Sequence, residues 1–311
     1  MTSKFADQIS ALVDNIEKVI VGKGDVVKIA TATLLSQGHL LVEDVPGVGK
    51  TTLAKAIARS VDCQFSRVQA TSDLLPSDIL GVSIYNQKKH EFEFQPGPIF
   101  TNILLVDEVN RATPRTQSSL LQAMNEFEVT IDRITRELAN PFFVIATQNP
   151  VEQVGTYLLP ESQLDRFAAR VTMGYPSLNE EDRILTDQQE SHPIEELLPV
   201  LTSEELCSLQ AEVRKVRVDE KIRRYILDIT RQTRDCEEVT CGASPRASLV
   251  LCRMSQAWAL MAGRDYCLPD DPKELAVPVL SHRLILPSSL RSNVEEQRSL
   301  VKRILDGVEV P

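Results

Sequence analysis

The chain has 311 residues, enough for about two domains, with 42% hydrophobic and 25% charged residues and a net charge of −10 from 34 basic and 44 acidic side chains. This composition excludes a chain disordered throughout and argues against one that coats nucleic acid along a basic face or is held on anionic lipid by charge. The longest charge-free runs, 29–42 and 138–151, fall short of the about 20 apolar residues a membrane span needs. The opening MTSKFADQIS lacks the basic-then-apolar secretory pattern, so the cytoplasm is the expected compartment.

In chain order, the first half alternates short apolar runs with helical stretches, the pattern of an α/β protein with a parallel sheet. Candidate strands are His39–Glu43, Cys63–Gln69, Ile103–Asp107, Phe142–Thr147 and Ala169–Met173. Gly174-Tyr-Pro-Ser and the region of Pro193 read as a linker. Beyond it the spacing predicts helices over Glu180–Gln189, Ser203–Val216, Asp219–Arg234, Pro245–Ala262, Asp271–Leu284 and Val294–Leu305. Thr202 and Glu205 form a capping box for the second of these, and Pro278 should kink or split the fifth. The expected organisation is an α/β core over 1–175 and an all-helical lid over 176–311. Six cysteines include no C-x-x-C pair, so they are read as small, mostly buried hydrophobes and not as a metal site.

The chemistry starts at residues 46–52, Pro-Gly-Val-Gly-Lys-Thr-Thr, between the apolar run ending at Glu43 and the helical stretch Leu53–Ser60. Strand, glycine-rich turn, Lys-Thr and helix together make a phosphate-binding loop. Gly47 and Gly49 let backbone N–H groups converge on phosphate oxygens, and the helix N-terminus adds its positive dipole. Lys50 supplies charge to the β- and γ-phosphates and Thr51 a hydroxyl for magnesium. The strict pattern G-x-x-x-x-G-K-[ST] would put glycine at 44, where this chain has Asp44. A carboxylate facing triphosphate is unfavourable, so Asp44 should point away.

The apolar run Ile103-Leu-Leu-Val ends in Asp107-Glu108, at the carboxyl end of a strand where parallel sheets place ligands. Asp107 is the candidate magnesium carboxylate and Glu108 the candidate general base for the attacking water. The run Phe142-Phe-Val-Ile-Ala-Thr ends in Gln148-Asn149-Pro150. Asn149 is the candidate polar contact to water or γ-phosphate there, with Thr147 and Gln148 as alternates.

With these segments in place, the sequence resembles the MoxR family of AAA+ ATPases. Leu41-Val-Glu-Asp-Val-Pro-Gly-Val-Gly-Lys-Thr51 is similar to the family's phosphate loop, Asp44 included. Similar too are Asp73-Leu-Leu-Pro-Ser-Asp-Ile-Leu-Gly81, Phe94-Gln-Pro-Gly-Pro-Ile-Phe100, Asp107-Glu-Val-Asn-Arg-Ala-Thr-Pro-Arg-Thr-Gln117 and Ala146-Thr-Gln-Asn-Pro150. The same holds for Gly155-Thr-Tyr157, Leu159-Pro-Glu-Ser-Gln-Leu-Asp-Arg-Phe167 and Gly242-Ala-Ser-Pro-Arg246. The resemblance runs from about Val19 to Ile285.

It implies an AAA+ P-loop core with a parallel five-stranded sheet and a C-terminal all-helical lid. It also implies hairpin insertions near 82–96 and 128–142, which in relatives face a central pore. Arg166 resembles the arginine finger that reaches a neighbouring subunit's γ-phosphate, with Arg170 as its backup. Arg246, in the first turn of a helix capped by Ser244 and opened by Pro245, resembles the lid's sensor arginine facing the nucleotide. Val21 and Gly22 resemble the adenine-pocket segment, which joins Pro46, Gly47, Val48, Gly49, Lys50, Thr51 and Thr52 as the expected ATP-binding set. Magnesium would be held by Thr51 and Asp107. The implied activity is ATP hydrolysis in a hexameric ring, driving chaperone-like remodelling or maturation of a protein client with a von Willebrand A domain partner. The alternatives are a nucleic-acid motor, which the mixed charge of the two hairpins disfavours, and a chelatase-type motor for metal insertion.

Overall fold

The computed structural model describes residues 2–45, 47–149, 155–157, 159–189, 191–287 and 294–311. Helix α1 (Thr2–Glu17) buries Ile9, Leu12, Val13 and Ile16, whose spacing of three and four puts them on one stripe. Helix α2 (Gly24–Leu35) is buried along most of its length. Strand β1 (Leu40–Glu43) leads through the phosphate loop into α3 (Lys50–Ser60), and β2 (Phe65–Gln69) follows. The short helix α4 (Pro76–Leu80) opens onto an antiparallel hairpin of β3 (Gly81–Asn86) and β4 (Glu91–Pro96). Strand β5 (Ile103–Asp107), a 3-10 turn at Val109–Arg111 and α5 (Pro114–Glu126) come next. A second hairpin joins β6 (Glu128–Ile131) to β7 (Ile134–Glu137). The core ends with β8 (Phe143–Gln148), α6 (Glu161–Leu164) and β9 (Ala169–Val171). Then come α7 (Leu178–Asp187), α8 (Ser203–Val213), α9 (Glu220–Asp235), α10 (Pro245–Met261), α11 (Asp270–Leu280), a 3-10 turn at Ser281–Arg283 and α12 (Val294–Gly307).

Strands β2-β5-β8-β1-β9, in that order, form one parallel sheet. Side chains alternate faces along a strand, and the sheet's two faces feed two separate apolar clusters. Ile103 and Leu105 join Leu40, Val42, Phe143 and Ile145 on one face. Leu104 and Val106 join Leu41, Val144 and Ala146 on the other. The first face is covered by α1, α2 and α3, and its cluster continues into Leu251, Met254, Leu275 and Val279 of the later helices. The second face packs α5 and the feet of both hairpins, through Ile79, Leu120, Leu121, Val129 and Leu138.

The expected strand and helix positions agree with the structure to within a few residues. The first strand starts at Leu40 and not at His39, whose ring bonds Met124 and Val144. The capping box of Thr202 and Glu205 opens α8 as expected. Pro278 does not split its helix. α11 runs through it and ends at Leu280. The cysteines are less buried than expected: Cys267 is buried, Cys241 exposed and the other four lie between.

Candidate active site

Gly49 caps α3 and, like Gly47, has a left-handed backbone, with φ of 95° and 87°. A side chain is rarely tolerated in that conformation, so the turn exposes the first N–H groups of α3, at Lys50, Thr51 and Thr52. An eleven-residue helix with free N–H groups at its start is a ready site for phosphate. Val48 packs its side chain on the core, which fixes the loop from below. Pro46 lies outside the described residues.

Asp44 points away from the phosphate side. Its Oδ1 accepts from the Val45 N–H at 2.8 Å and its Oδ2 from the Gly174 N–H at 2.6 Å. The carboxylate thus ties the start of the loop to the segment that leaves β9. Lys50 Nζ donates to the backbone oxygens of Asp44 at 2.8 Å and Val45 at 3.2 Å. Burial lowers the Lys50 ammonium below its ordinary value, opposed by the charges of Asp44, Asp107 and Glu108. The acids at the end of β5 are thus near enough to act on the Lys50 charge across the intervening β8.

The parallel register sets Gln69 beside Asp107. Asp107 is buried; its Oδ1 accepts from Thr147 Oγ1 at 3.2 Å and its Oδ2 from Arg67 Nε at 2.7 Å. Glu108 sits in a left-handed conformation, φ 55°, and its N–H donates to Thr147 Oγ1 at 2.9 Å. Its Oε2 accepts from Gln69 Nε2 at 2.9 Å and from Arg111 Nη1 at 3.2 Å. Asn149 follows β8, half-buried at the same exit edge. Of the three polar candidates at the end of β8, Thr147 bridges the two acids. Arg67, Gln69 and Arg111 were not singled out from the sequence. The sequence marks Arg67 and Gln69 only as polar residues in β2, Phe-Ser-Arg-Val-Gln; the register that pairs Gln69 with Asp107 is what brings them to the acids.

Hard oxygen donors suit magnesium. The Thr51 hydroxyl and the Asp107 carboxylate are such donors, and the cation now paired with Asp107 shows that its oxygen is accessible to positive charge. Val21 is buried, and Gly22 lies so close to Glu180 that a Cβ would stand 1.9 Å from its Oε1. Lys23 Nζ donates to the Tyr175 oxygen at 2.9 Å. These contacts bring Val21 and Gly22 to the segment that Asp44 grips through Gly174.

Both candidate arginines lie at the other edge of the sheet, where strands enter. Arg166 Nη1 donates to the Leu121 oxygen at 2.7 Å, on the last turns of α5. Its neighbour Asp165 accepts from Arg283 Nε at 2.8 Å and from Ser244 Oγ at 3.0 Å. Arg246 donates to Asn125, next to Met124, whose oxygen is bonded by His39 just before β1. A five-residue strand is about 16 Å long, so Arg246 does not face the phosphate loop of its own chain, contrary to expectation. The reason is the lid's seating: α10 starts against the end of α5 and not over α3. Arg170 cannot serve as a finger. It is buried in β9 and paired with Glu43 at 3.0 Å, with Gln297 at 2.7 Å and Ser281 at 3.3 Å as further partners.

Comparison with known proteins agrees with this architecture. The ATPase family associated with various cellular activities (AAA) matches residues 39–169 and the AAA lid domain residues 231–304. The uncharacterized protein YeaC of Bacillus subtilis is 51% identical over 96% of this chain and 93% of its own length. Chaperone MoxR1 of Mycobacterium tuberculosis is 39% identical over 95% of this chain and 80% of its own. The crystal structure of a candidate ATPase from Cytophaga hutchinsonii superposes with a TM-score of 0.90 at 36% identity, covering 100% of this chain and 97% of that one. With the phosphate loop, the paired acids and the helical lid on one chain, and relatives alike over nearly its whole length, this protein is a member of the MoxR family of AAA+ ATPases.

Proposed function

We propose that the protein hydrolyses ATP with magnesium at a site shared between subunits of a hexameric ring, and uses the cycle for chaperone-like remodelling of a protein client. In this reading a core ending near residue 175 carries the nucleotide and a helical lid follows it. Lys50 and the N–H groups of Gly49 to Thr52 hold the phosphates, and Val21 and Gly22 border the base. Thr51 and Asp107 hold magnesium, which would neutralise the β- and γ-phosphate oxygens. Glu108 takes the proton of the attacking water, and Asn149 orients that water. Arg166 and Arg246 stabilise the charge developing on the γ-phosphate of the neighbouring subunit.

The observation that carries the reading is the division of the parts. The phosphate loop and both acids stand at the exit edge of the sheet, whereas Arg166 and Arg246 stand together at the entry edge. A site completed only by a second copy fits that division. The name of the chaperone relative supports a protein client. So do the apolar Ile84, Tyr85 and Phe92, exposed on the first hairpin where a nucleic-acid motor would need basic residues. A von Willebrand A domain protein is the proposed partner and the cytoplasm the proposed site of action.

The test is Glu108→Gln. It should bind ATP as the wild type does and lose turnover at least about 100-fold, the usual share of a general base. With ATP in a native lysate, the same variant should retain a von Willebrand A domain protein. Normal hydrolysis by Glu108→Gln would remove the base assignment, and retention of nucleic acid alone would point to the motor reading.

A further inference from the structure

The proposed chemistry leaves Arg67 without a task. Its guanidinium is half-exposed, 49% of the side chain, and its Nε lies 2.7 Å from Asp107 Oδ2. Through Nη2 it also reaches Gln69 Oε1 at 3.4 Å. Both oxygens of Asp107 are thus occupied: Oδ1 accepts from the Thr147 hydroxyl and Oδ2 faces a cation. Lys50 does not serve this purpose, since its ammonium donates to backbone oxygens of its own loop. The cation against the metal carboxylate is therefore an arginine from the neighbouring strand.

We propose that Arg67 is a displaceable counter-ion, a positioning residue that holds Asp107 until magnesium and nucleotide arrive together and so sets the metal concentration at which ATP binding is completed. The proposal rests on the magnesium assignment made above. The physics favours exchange. A nearly buried carboxylate needs a positive partner at all times. Arginine meets that need from a half-exposed side chain, whose charged end water can receive once another cation takes its place. A divalent ion, bound at once by the carboxylate, the Thr51 hydroxyl and phosphate oxygens, outcompetes it. The displaced guanidinium swings into solvent while keeping Gln69 within reach.

The test is equilibrium binding of a fluorescent, non-hydrolysable ATP analogue, titrated with magnesium. The proteins are the full-length wild type, Arg67→Gln, Arg67→Ala, Asp107→Asn and the double variant Arg67→Gln with Asp107→Asn. Without the competing cation, half-saturation in both single variants should require roughly fivefold less magnesium. In an Asp107→Asn background, measured against Asp107→Asn alone, Arg67→Gln should give no gain, which a merely structural role for Arg67 would not predict. An unchanged or higher requirement in both single variants, with the wild type still magnesium-dependent, overturns the counter-ion role. Binding by the wild type that ignores magnesium overturns the metal assignment itself.

Discussion

His39 does no chemistry, yet it is among the most constrained residues of the entry edge. Its ring is fully buried; Nδ1 accepts from the Val144 N–H at 3.0 Å, so Nε2 carries the hydrogen facing the Met124 oxygen at 2.8 Å. Burial pulls the imidazole down to about 4 from its ordinary 6.5. His282 is lowered as well, first by burial and then by Arg283 and Arg170. The unfolded chain therefore binds protons between about pH 6.5 and 4 that the folded chain refuses, and stability falls as pH falls through that window. His39 alone should cost about 2 kcal/mol between pH 7 and pH 5. Denaturant unfolding at both pH values should show that loss in the wild type and a smaller one in His39→Gln. Equal losses in the two proteins would refute it. Lys50, Asp107 and Glu108 were legible in the sequence because their types and local context are diagnostic. Thr147 was named only as an alternate, and Gln69 and Arg67 not at all, because their roles arise from strand register, which brings distant residues side by side.

At the scale of elements, the phosphate loop departs from the strict glycine pattern at Asp44, and the structure gives a reason. Asp44 is not among the described residues with left-handed backbone, so no glycine is needed there. Its carboxylate instead binds the N–H groups of Val45 and Gly174, holding the loop to the chain that leaves the sheet for α7. Next to it, Glu43 is tied through Arg170 to Gln297 of α12. The start of the loop is thereby anchored to both ends of the helical region. Asp44→Gly, which would recreate the strict pattern, should destabilise the protein by about 2 kcal/mol through lost charge-assisted bonds. It should also weaken ATP binding. Calorimetric Tm and nucleotide Kd measure both, and an unchanged Tm would contradict the anchoring role. The strands at the centre of the sheet were legible because β1, β5 and β8 are short apolar runs closed by polar residues. The two hairpins came only with the family resemblance. Their mutual contact, Arg136 over the Phe94 ring at 4.0 Å, joins residues from separate insertions that no local pattern connects.

Across the whole molecule, the two halves read from the sequence share one apolar cluster, in which Leu12 and Leu34 from the start of the chain meet Leu251 and Leu260 of α10. That packing seats the lid against the entry edge, which composition and periodicity could not foretell. Arg246 was recognisable by its motif, but which nucleotide it can face depends on where α10 docks. The seating puts Arg246 with Arg166 at the edge away from the chain's own phosphate loop. Under the proposed function these arginines complete a neighbour's site. An ATPase assay on Lys50→Ala and Arg166→Ala, separately and mixed in equal amounts, tests it most directly. Each variant alone should be inactive, since an arginine finger contributes about 10³–10⁵ in rate. In the mixture, roughly a quarter of randomly assembled sites pair an intact Lys50 with a neighbour's intact Arg166, and activity should recover in that proportion. A mixed assembly no more active than its parents, or an Arg166→Ala assembly with wild-type kcat, would contradict the account.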